Sequence, residues 1–483
     1  MTKLGALKMA CIVFLLCTAM AIAVLAQTFT TLANFDGSNG FGPGYTALVQ
    51  GADGSFYGTT EGGGNQPTCA GTGGCGTAFK INQGGTLNTL YQFCSQPNCS
   101  DGIYPMAGLV FATDGQFYGT SLSSVFKMTG TGKLTTLNTF GTYVSPYGAL
   151  IQATDGNFYG TTYNGGSNGN GYGTVFRMTP AGERTTLYVF CALPYCTDGY
   201  FPAAGLAQGT DGNFYGTTSA GGLADNGTVF KITPTGTLTT LHSFSENRLN
   251  RDGRHPYGAL IQASDGNFYG TTNLGGNSPA CNGDGCGTIF RINARGTFKK
   301  IYAFSESTGS PRGPFAGLIQ ATDGTLYGTT AFGGDMGYGT IFNLNASGTL
   351  TVLHSFVSTD GAYPYDNLLQ ATDGNFYGTT ANGGAYNCKP NYDCGTVFKL
   401  STGLGPFVSL VRAVGKVGQT GGVLGQGFTG ATTVSFNGIP ATFTVVSDTY
   451  LKATVPAGAT TGYVTVTTPS GTLTSNVPFH VLP

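Results

Sequence analysis

A string of the form D-G-x-[FL]-Y-G-[TS] recurs seven times in the chain, and no other feature restricts the fold as strongly. The copies lie 41 to 61 residues apart and begin at Asp53, Asp114, Asp155, Asp211, Asp265, Asp323 and Asp373. An apolar run precedes each copy, and a G-T-V-F type run and an alternating run follow it. Because these runs are rich in β-branched and aromatic residues and are bounded by Gly-containing turns, each unit predicts four short strands, a to d. Such a repeat is typical of a β-propeller.

The two ends of the repeat region share one unit. The seventh unit stops after its strand c run at residues 395–399, whereas residues 28–35 match the strand d pattern and precede the first strand a. We therefore expect the N-terminal strand to complete the last blade, since closing the ring removes exposed sheet edges. The predicted fold is all-β, with a seven-bladed β-propeller over residues 27–402.

The composition supports a turn-dense β protein. Gly accounts for 81 of the 483 residues, and only 9% of residues are charged. Gly supplies the positive φ angles that tight turns need. The formal net charge is −1, so no basic field exists to attract nucleic acid or anionic lipid. We expect neither as a partner.

Residues 1–26 have the pattern of a secretory signal peptide. Lys3 and Lys8 give a positive start, an apolar run covers residues 9–25, and Ala26 provides a small residue at the expected cleavage site. An uncleaved anchor is the alternative, since the run approaches the length of a membrane span. The prediction is a secreted, extracellular or cell-surface protein without a membrane span after signal removal.

The ten cysteines beyond the signal form five close pairs, which are Cys69/Cys75, Cys94/Cys99, Cys191/Cys196, Cys281/Cys286 and Cys388/Cys394. An even count, short spacing and an export signal predict five local disulfides. We expect these disulfides to hold loops and not the core. Zinc is the alternative, but a structural zinc site needs four ligands and the chain has four His in all. We expect neither a metal nor a cofactor.

A second, smaller domain is predicted over residues 405–483. Gly405 and Pro406 mark a linker, and six short alternating runs follow, as in an immunoglobulin-like β-sandwich. The strings G-Q-G-F, V-S-F-N-G, L-K-A-T-V-P and G-Y-V-T-V-T resemble the IPT/TIG immunoglobulin-like family. That resemblance implies a spacer or interaction module on a surface protein.

The recurring Y-G-T-T, G-T-V-F and L-x-x-F strings resemble the GloVer tandem-repeat family of secreted bacterial proteins over residues 28–400. The resemblance implies an extracellular setting and no assigned activity. The family carries its repeats on varied surface-anchoring ends, and no such anchor is evident here.

Candidate binding residues lie at the start of strand a. Aromatic residues follow a proline there at Tyr45, Tyr147, Tyr257, Phe315 and Tyr365. If strand a is innermost, these rings surround the mouth of the channel, where sugars could stack on them. The alternative is packing between blades, as expected of a repeated position.

Two sets of Asp recur. The Asp of the sevenfold string is predicted to be structural, because Asp-Gly favours tight turns. A second string, D-G-x-x-P, places Asp101, Asp198, Asp252 and Asp360 in the d–a loops, where they could bind a cation or a sugar hydroxyl. Turn formation is the alternative. His242 and His354 occupy a strand d position, so we expect ordinary strand residues; other units have Tyr91, Asn138, Tyr188 and Tyr302 there.

No catalytic triad, zinc-protease helix or nucleotide fingerprint occurs in the sequence. The first hypothesis is a monomeric, non-enzymatic binding or scaffold protein whose partner is an extracellular polysaccharide or another surface protein. It would use the face of long b–c and d–a loops, because binding usually resides in loops on a rigid scaffold. The alternative is a carbohydrate-active hydrolase or lyase that uses two of the loop Asp residues.

Overall fold

The computed structural model describes residues 27–66, 69, 73–141, 144–166, 171–244, 252–276, 281, 283–389 and 392–482. The predicted signal peptide, residues 1–26, lies outside this part. Among the described residues, no helix combines the length and the apolar character that crossing a membrane requires. The described chain is all-β, as predicted, and its repeats form a β-propeller.

The described residues between 28 and 401 form seven four-stranded antiparallel sheets, here numbered as sheets 1 to 7 with strands a to d. Strand a is Val49–Gln50, Val110–Phe111, Ile151–Gln152, Ala207–Gln208, Ile261–Gln262, Ile319–Gln320 and Leu369–Gln370. Strand b is Phe56–Thr60, Phe117–Thr120, Phe158–Thr162, Phe214–Thr218, Phe268–Thr272, Leu326–Thr330 and Phe376–Thr380. Strand c is Thr77–Ile81, Ser124–Met128, Thr174–Met178, Thr228–Ile232, Thr288–Ile292, Thr340–Leu344 and Thr396–Ser401. Strand d is Leu87–Gln92, Leu134–Thr139, Arg184–Val189, Leu238–Ser243, Phe298–Ala303, Leu350–Ser355 and, for sheet 7, Thr28–Asn34.

The N-terminal strand closes the last sheet, as predicted. Thr28–Asn34 pairs antiparallel with Thr396–Ser401, from Thr28 opposite Ser401 to Asn34 opposite Thr396. Without this strand, the backbone of the last strand c would be an unpaired edge. Closure of the ring therefore depends on pairing between strands whose residues are more than 360 positions apart in sequence.

The strand b tyrosine of one sheet stacks on the first strand b residue of the next sheet. The ring centroids of these pairs are 3.8 to 4.3 Å apart, and the rings are stacked in all pairs except the last, which is tilted by 36°: Tyr57–Phe117, Tyr118–Phe158, Tyr159–Phe214, Tyr215–Phe268, Tyr327–Phe376 and Tyr377–Phe56. Between sheets 5 and 6, Tyr269 packs in one cluster with Leu326. The Tyr377–Phe56 contact joins sheet 7 to sheet 1, so the sheets form a closed ring.

Sheet 3 shows why the sevenfold string has its composition. Asp155 accepts the Asn157 N–H and the Tyr159 hydroxyl, which fixes the a–b turn. A Cβ on Gly160 would lie 2.8 Å from the Phe176 ring, so only Gly fits there. The same Asp–Tyr bond occurs in all seven sheets, and the predicted structural role of these Asp is confirmed.

A ring of glutamines lies beside the a–b turns. The last residue of strand a is Gln in six sheets, and its side-chain oxygen accepts an N–H from the turn of the preceding sheet, as Gln152 does from Thr113 at 2.9 Å. Sheet 2 has Phe111 in this position and breaks the ring. The a–b and c–d turns together form what we call the short-turn face.

The C-terminal domain is a sandwich of short sheets. Its strands are Ser409–Leu410, Val414–Lys416, Thr420–Leu424, Thr433–Phe436, Ile439–Pro440, Phe443–Ser447, Tyr450–Thr454, Val464–Thr468, Gly471–Thr474 and His480–Leu482. Two four-stranded antiparallel sheets enclose an apolar core that includes Phe428, Leu451 and Val466.

The C-terminal domain rests on the short-turn face of the propeller. Tyr450 is buried against Phe111, with ring centroids 6.2 Å apart. Thr449 donates to the Ala52 carbonyl, and Thr372 exchanges hydrogen bonds with the 425–426 segment. The domain thereby covers the end of the propeller where the sheets are joined by their tightest turns.

Candidate functional site

The opposite face of the propeller is built from the b–c and d–a loops, and we call it the loop-rich face. The loops contain the short elements Pro43–Tyr45, Pro97–Cys99, Pro194–Cys196, Pro311–Arg312, Phe332–Gly333, Asn387–Lys389 and Tyr392–Asp393. All five predicted disulfides form on this face. Cys69–Cys75, Cys281–Cys286 and Cys388–Cys394 lie in b–c loops, and Cys94–Cys99 and Cys191–Cys196 lie in d–a loops.

The expectation that the disulfides hold only loops is wrong for the three b–c pairs. Their second cysteines, Cys75, Cys286 and Cys394, are at most 1% exposed and pack in apolar clusters. Cys394 is fully buried in one cluster with Phe35, and its carbonyl accepts the Gly42 N–H. Each of these cysteines comes two residues before strand c begins, where the chain has already entered the packed interior. These disulfides therefore tie a surface loop to the core.

The buried cysteines do not form a metal site. Within the described residues, the one group of three possible metal ligands is Cys69, Cys75 and Cys94, whose sulfurs are all in disulfides. A disulfide sulfur is not available as a thiolate ligand. These three sulfur atoms therefore serve as crosslinks and not as metal ligands.

Aromatic side chains form a nearly continuous band at the centre of the loop-rich face, here called the aromatic collar. Its members are Tyr147, Tyr163, Phe201, Tyr257, Phe315, Phe332, Tyr363 and Tyr365. Tyr163 lies 5.0 Å from Tyr147 and 4.7 Å from Phe201, and Phe315 lies 5.4 Å from Tyr257. Burial raises the pKa of Tyr163, and the Tyr257 and Tyr147 side chains add to the effect. Tyr163 therefore joins Tyr147 to Phe201 within the band.

Four of the five predicted aromatic residues belong to the collar. Tyr147, Tyr257, Phe315 and Tyr365 are each partly buried against a neighbouring ring and partly open to solvent. The side chain of Tyr45 lies outside the described part of the structure. The partial exposure means that packing between sheets and stacking with a ligand can use the same rings.

The sequence prediction missed the residue directly before the proline. Tyr104, Phe201, His255 and Tyr363 occupy this position and have φ between 49° and 58°. Left-handed backbone is uncommon for residues other than Gly and costs energy, and such strain concentrates at functional sites. All four residues occupy the position before Pro in the D-G-x-x-P string, so this string could have been used to predict them. Phe201 and Tyr363 extend the collar outwards.

Two of the predicted loop Asp residues organise their own disulfide loops. Asp198 is fully buried and accepts the Tyr188 hydroxyl and the N–H groups of Ala192 and Leu193. Asp101 is buried in the equivalent loop and accepts the same kind of bonds. These contacts are those of the turn-forming alternative, and they turn both carboxylates away from solvent.

The other two predicted loop Asp residues contact histidines. His242 Nε2 lies 3.0 Å from Asp252 Oδ2, and His354 Nε2 lies 3.1 Å from Asp360 Oδ2. Each histidine replaces the tyrosine that holds the Asp in the disulfide-containing loops. Each of the four loop Asp residues is thus held by a Tyr or His side chain of the strand d that precedes its loop.

One cleft opens where sheet 2 has a shortened b–c loop. It has a volume of about 400 Å³ and is lined by Phe41, Glu61, Gly62, Tyr104, Met106, Leu122 and Tyr147. Leu122 belongs to the short connection 121–123, which replaces the long Gly-rich loop of the other sheets. The departure from the repeat therefore leaves a recess next to the collar.

A second cleft lies between the loops of sheets 5 and 6, and we call it the charged cleft. It has a volume of about 470 Å³, and its lining includes Asn273, Asp284, Glu306, Arg312 and Phe332. Phe332 is 37% exposed and is also a member of the collar. The two features are therefore continuous.

Asp366 lies at the entry of strand a in sheet 7. The corresponding residues of the other sheets are Thr46, Ala107, Gly148, Ala204, Gly258 and Ala316. Burial raises the pKa of Asp366 to about 6, although N–H groups of Asn367 and Ala47 stabilise the ionised form. Because Ala47 belongs to sheet 1, this carboxyl bridges the junction at which the ring closes.

Comparison with known protein families shows to which family the chain belongs. The Gloeobacter/Verrucomicrobia repeat matches residues 121–321 and 310–426, which is more than half of the chain. The chain belongs to the Gloeobacter/Verrucomicrobia repeat family. Its C-terminal domain matches the IPT/TIG domain over residues 406–481. Both resemblances inferred from the sequence are confirmed.

Solved structures similar to this repeat protein include virginiamycin B lyase from Staphylococcus aureus. The two share 16% identity with a TM-score of 0.50, over 78% of this chain and 99% of the lyase. A gluconolactonase from Xanthomonas campestris shares 13% identity with a TM-score of 0.37, over 61% of this chain and 84% of that one. The similarity to the lyase supports the propeller fold and nothing further. No curated protein matches.

Proposed function

We propose that this repeat protein is a secreted or cell-surface binding and scaffold protein, without enzymatic activity, whose loop-rich face recognises extracellular carbohydrate. The aromatic collar is the observation that carries the proposal. Pyranose rings bind by placing their apolar C–H faces on aromatic side chains held rigidly, and the collar offers several such rings along one band.

The distribution of exposed apolar side chains supports this choice of face. In the described part of the propeller, the large hydrophobic residues that are most exposed are Leu193, Tyr195, Leu223, Phe332, Met336, Val352, Val357 and Tyr386. All of them except Val352, which lies in a strand d, are in b–c or d–a loops. The exposed apolar side chains of the propeller therefore lie mainly in the loops of the face that carries the collar.

The position of the C-terminal domain supports the scaffold part of the proposal. The domain covers the short-turn face and leaves the loop-rich face open. A spacer or attachment module placed on that side would hold the collar away from the surface to which the protein is attached.

The loop Asp residues argue for binding over catalysis. A glycosidase needs two carboxyl groups about 5 to 10 Å apart across the scissile bond. Asp101 and Asp198 are instead buried among N–H and hydroxyl donors. Asp252 and Asp360 each contact a histidine of the preceding strand d.

The test is a glycan array with the chain 27–483, combined with an assay for released reducing ends. The proposal predicts binding without release. Tyr257→Ala should weaken binding at least tenfold, whereas Tyr463→Ala, an exposed position in the C-terminal domain, should leave it unchanged. Release of reducing ends, or equal binding by the Tyr257 variant, would contradict the proposal.

A further inference from the structure

Two ion pairs contribute side chains to the charged cleft. Asp284, which lines the cleft, contacts the Arg254 guanidinium, and Arg254 itself lies behind the lining. In the second pair, both members line the cleft: Arg312 Nη1 lies 3.5 Å from Glu306 Oε1, and these two side chains are 38% and 45% exposed. The Glu306 carboxylate also accepts the Cys281 N–H at 2.7 Å, so the disulfide loop positions it.

The balance of charge in this cleft selects the chemistry of its ligand. Each guanidinium has a carboxylate partner, so the four side chains carry no net charge. An anion would be repelled by the carboxylates of Asp284 and Glu306. A cation would be repelled by the guanidinium groups of the arginines. A neutral group that both donates and accepts hydrogen bonds avoids either cost.

Adjacent hydroxyl groups of a sugar have this property. One hydroxyl can donate to a carboxylate while its neighbour accepts from the Arg312 guanidinium, whose fixed planar geometry suits paired acceptors. Asn273 adds an amide to the same lining. Phe332 provides an apolar surface at the edge of the cleft, packed edge-on against Phe315 and Tyr363.

We propose that the charged cleft is a subsite that selects a neutral, hydroxyl-rich sugar residue of a glycan that extends along the aromatic collar. This inference rests on the proposed function and adds the class of sugar to it. The paired carboxylates and guanidiniums supply selectivity, while the collar supplies stacking surface that tolerates many sugars.

The experiment measures binding of chain 27–483 to neutral glucans, xylans and mannans and, in parallel, to polygalacturonate and alginate. Arg312→Lys keeps the charge but loses the planar donor group, and Glu306→Gln removes the carboxylate charge. Each should weaken binding of the neutral glycan at least tenfold. The matched controls, Arg295→Lys and Glu183→Gln in c–d turns of the short-turn face, should bind as the unchanged protein does.

The outcomes separate the two proposals. If the unchanged chain binds a neutral glycan and both cleft variants bind it equally well, the subsite is wrong and the proposed function stands. Preferential binding of polygalacturonate or alginate would overturn the assignment of a neutral sugar. If no glycan binds, both proposals fail. Thermal unfolding of each variant shows whether a loss reflects the cleft or the fold.

Discussion

The two faces of the propeller are built from the same seven units but differ in almost every local property. The short-turn face consists of repeated Asp-Gly turns and a ring of glutamine side chains, and the C-terminal domain covers it. The loop-rich face has loops of different lengths, five disulfides, strained residues before proline and two clefts. Repetition therefore stabilises one face and leaves the other free to diversify.

Departures from the repeat have opposite results on the two faces. On the short-turn face, Phe111 replaces a ring glutamine and creates an apolar contact for Tyr450 of the C-terminal domain. On the loop-rich face of the same sheet, the shortened connection 121–123 opens a cleft. Sheet 2 thus docks a domain on one side and offers a recess on the other.

The largest expected difference between the faces concerns their aspartates. Asp198→Ala leaves a hydroxyl and two N–H groups without their buried acceptor and should destabilise the protein by about 4 kcal/mol. Asp155→Ala changes an exposed turn and should cost about 1 kcal/mol, since water can replace the carboxylate. Chemical denaturation of both variants measures the free energies of unfolding. Equal losses would show that the loop aspartate is no more important than the turn aspartate.

The next effect tests the contact that covers the short-turn face. Tyr450→Ala removes a buried ring from the interface with Phe111 and should cost about 3 kcal/mol. Hydrogen exchange near residues 110–111 should become faster, while glycan affinity at the loop-rich face should remain unchanged. The control is Tyr463→Ala, whose side chain is 48% exposed and should have little effect on stability. Slow exchange near residues 110–111 in the Tyr450 variant would argue against this docking contact.

A pH-dependent effect is expected at Asp366, between sheets 7 and 1. The pKa of Asp366 is about 6 in the folded chain, against an ordinary value of 3.8. The folded protein therefore holds this proton more tightly, and the stabilisation is lost as pH rises from about 4 through about 6. Unfolding of Asp366→Asn and the unchanged protein should show that the variant gains about 2 kcal/mol in relative stability between pH 4 and pH 7. A difference that is constant with pH would mean that Asp366 does not titrate in this range.

The smallest effect concerns single members of the glutamine ring. Gln152→Ala removes one bond to the neighbouring turn and one to its own turn, and should cost about 1 kcal/mol. Because the face is made of equivalent bonds, Gln208→Ala should cost a similar amount. Thermal unfolding of the two variants provides the comparison, and a much larger loss in either would show that the ring is not a set of independent contacts.

Closure of the ring and the structural role of the repeated Asp were predictable because they depend on patterns that recur in the sequence. The strand missing from the seventh unit could be found at residues 28–35 by its alternation alone. The docking of the C-terminal domain could not be predicted, since it depends on Phe111 and Tyr450, two single residues without a repeated pattern.

The disulfides show where a pattern predicts a bond but not its surroundings. The even number of cysteines, the short spacing of Cys388 and Cys394 and the export signal predicted that these two residues pair. The burial of Cys394 in the core depends on how its loop enters strand c beside Phe35, a residue from the other end of the repeat region. Pair spacing carries no information on such a long-range contact.

Part of the candidate site was also beyond sequence reasoning. Tyr147 and Tyr257 were predicted because they follow a proline at equivalent positions, whereas the position of Tyr163, directly after strand b, is aromatic in sheet 3 alone. The charged cleft depends on loops of two sheets that meet in space, and Glu306 and Arg312 carry no motif. Loop geometry of this kind is not encoded by periodicity.

Hydrogen exchange with and without a saturating glycan tests the central claim most directly. With the strongest binder from the array, the account predicts slower exchange in the d–a and b–c loops that carry Tyr147, Tyr257, Tyr363 and Arg312. Exchange at the a–b turns and in residues 406–481 should not change. Protection of the short-turn face or of the C-terminal domain, with none in those loops, would contradict the assignment of function to the loop-rich face.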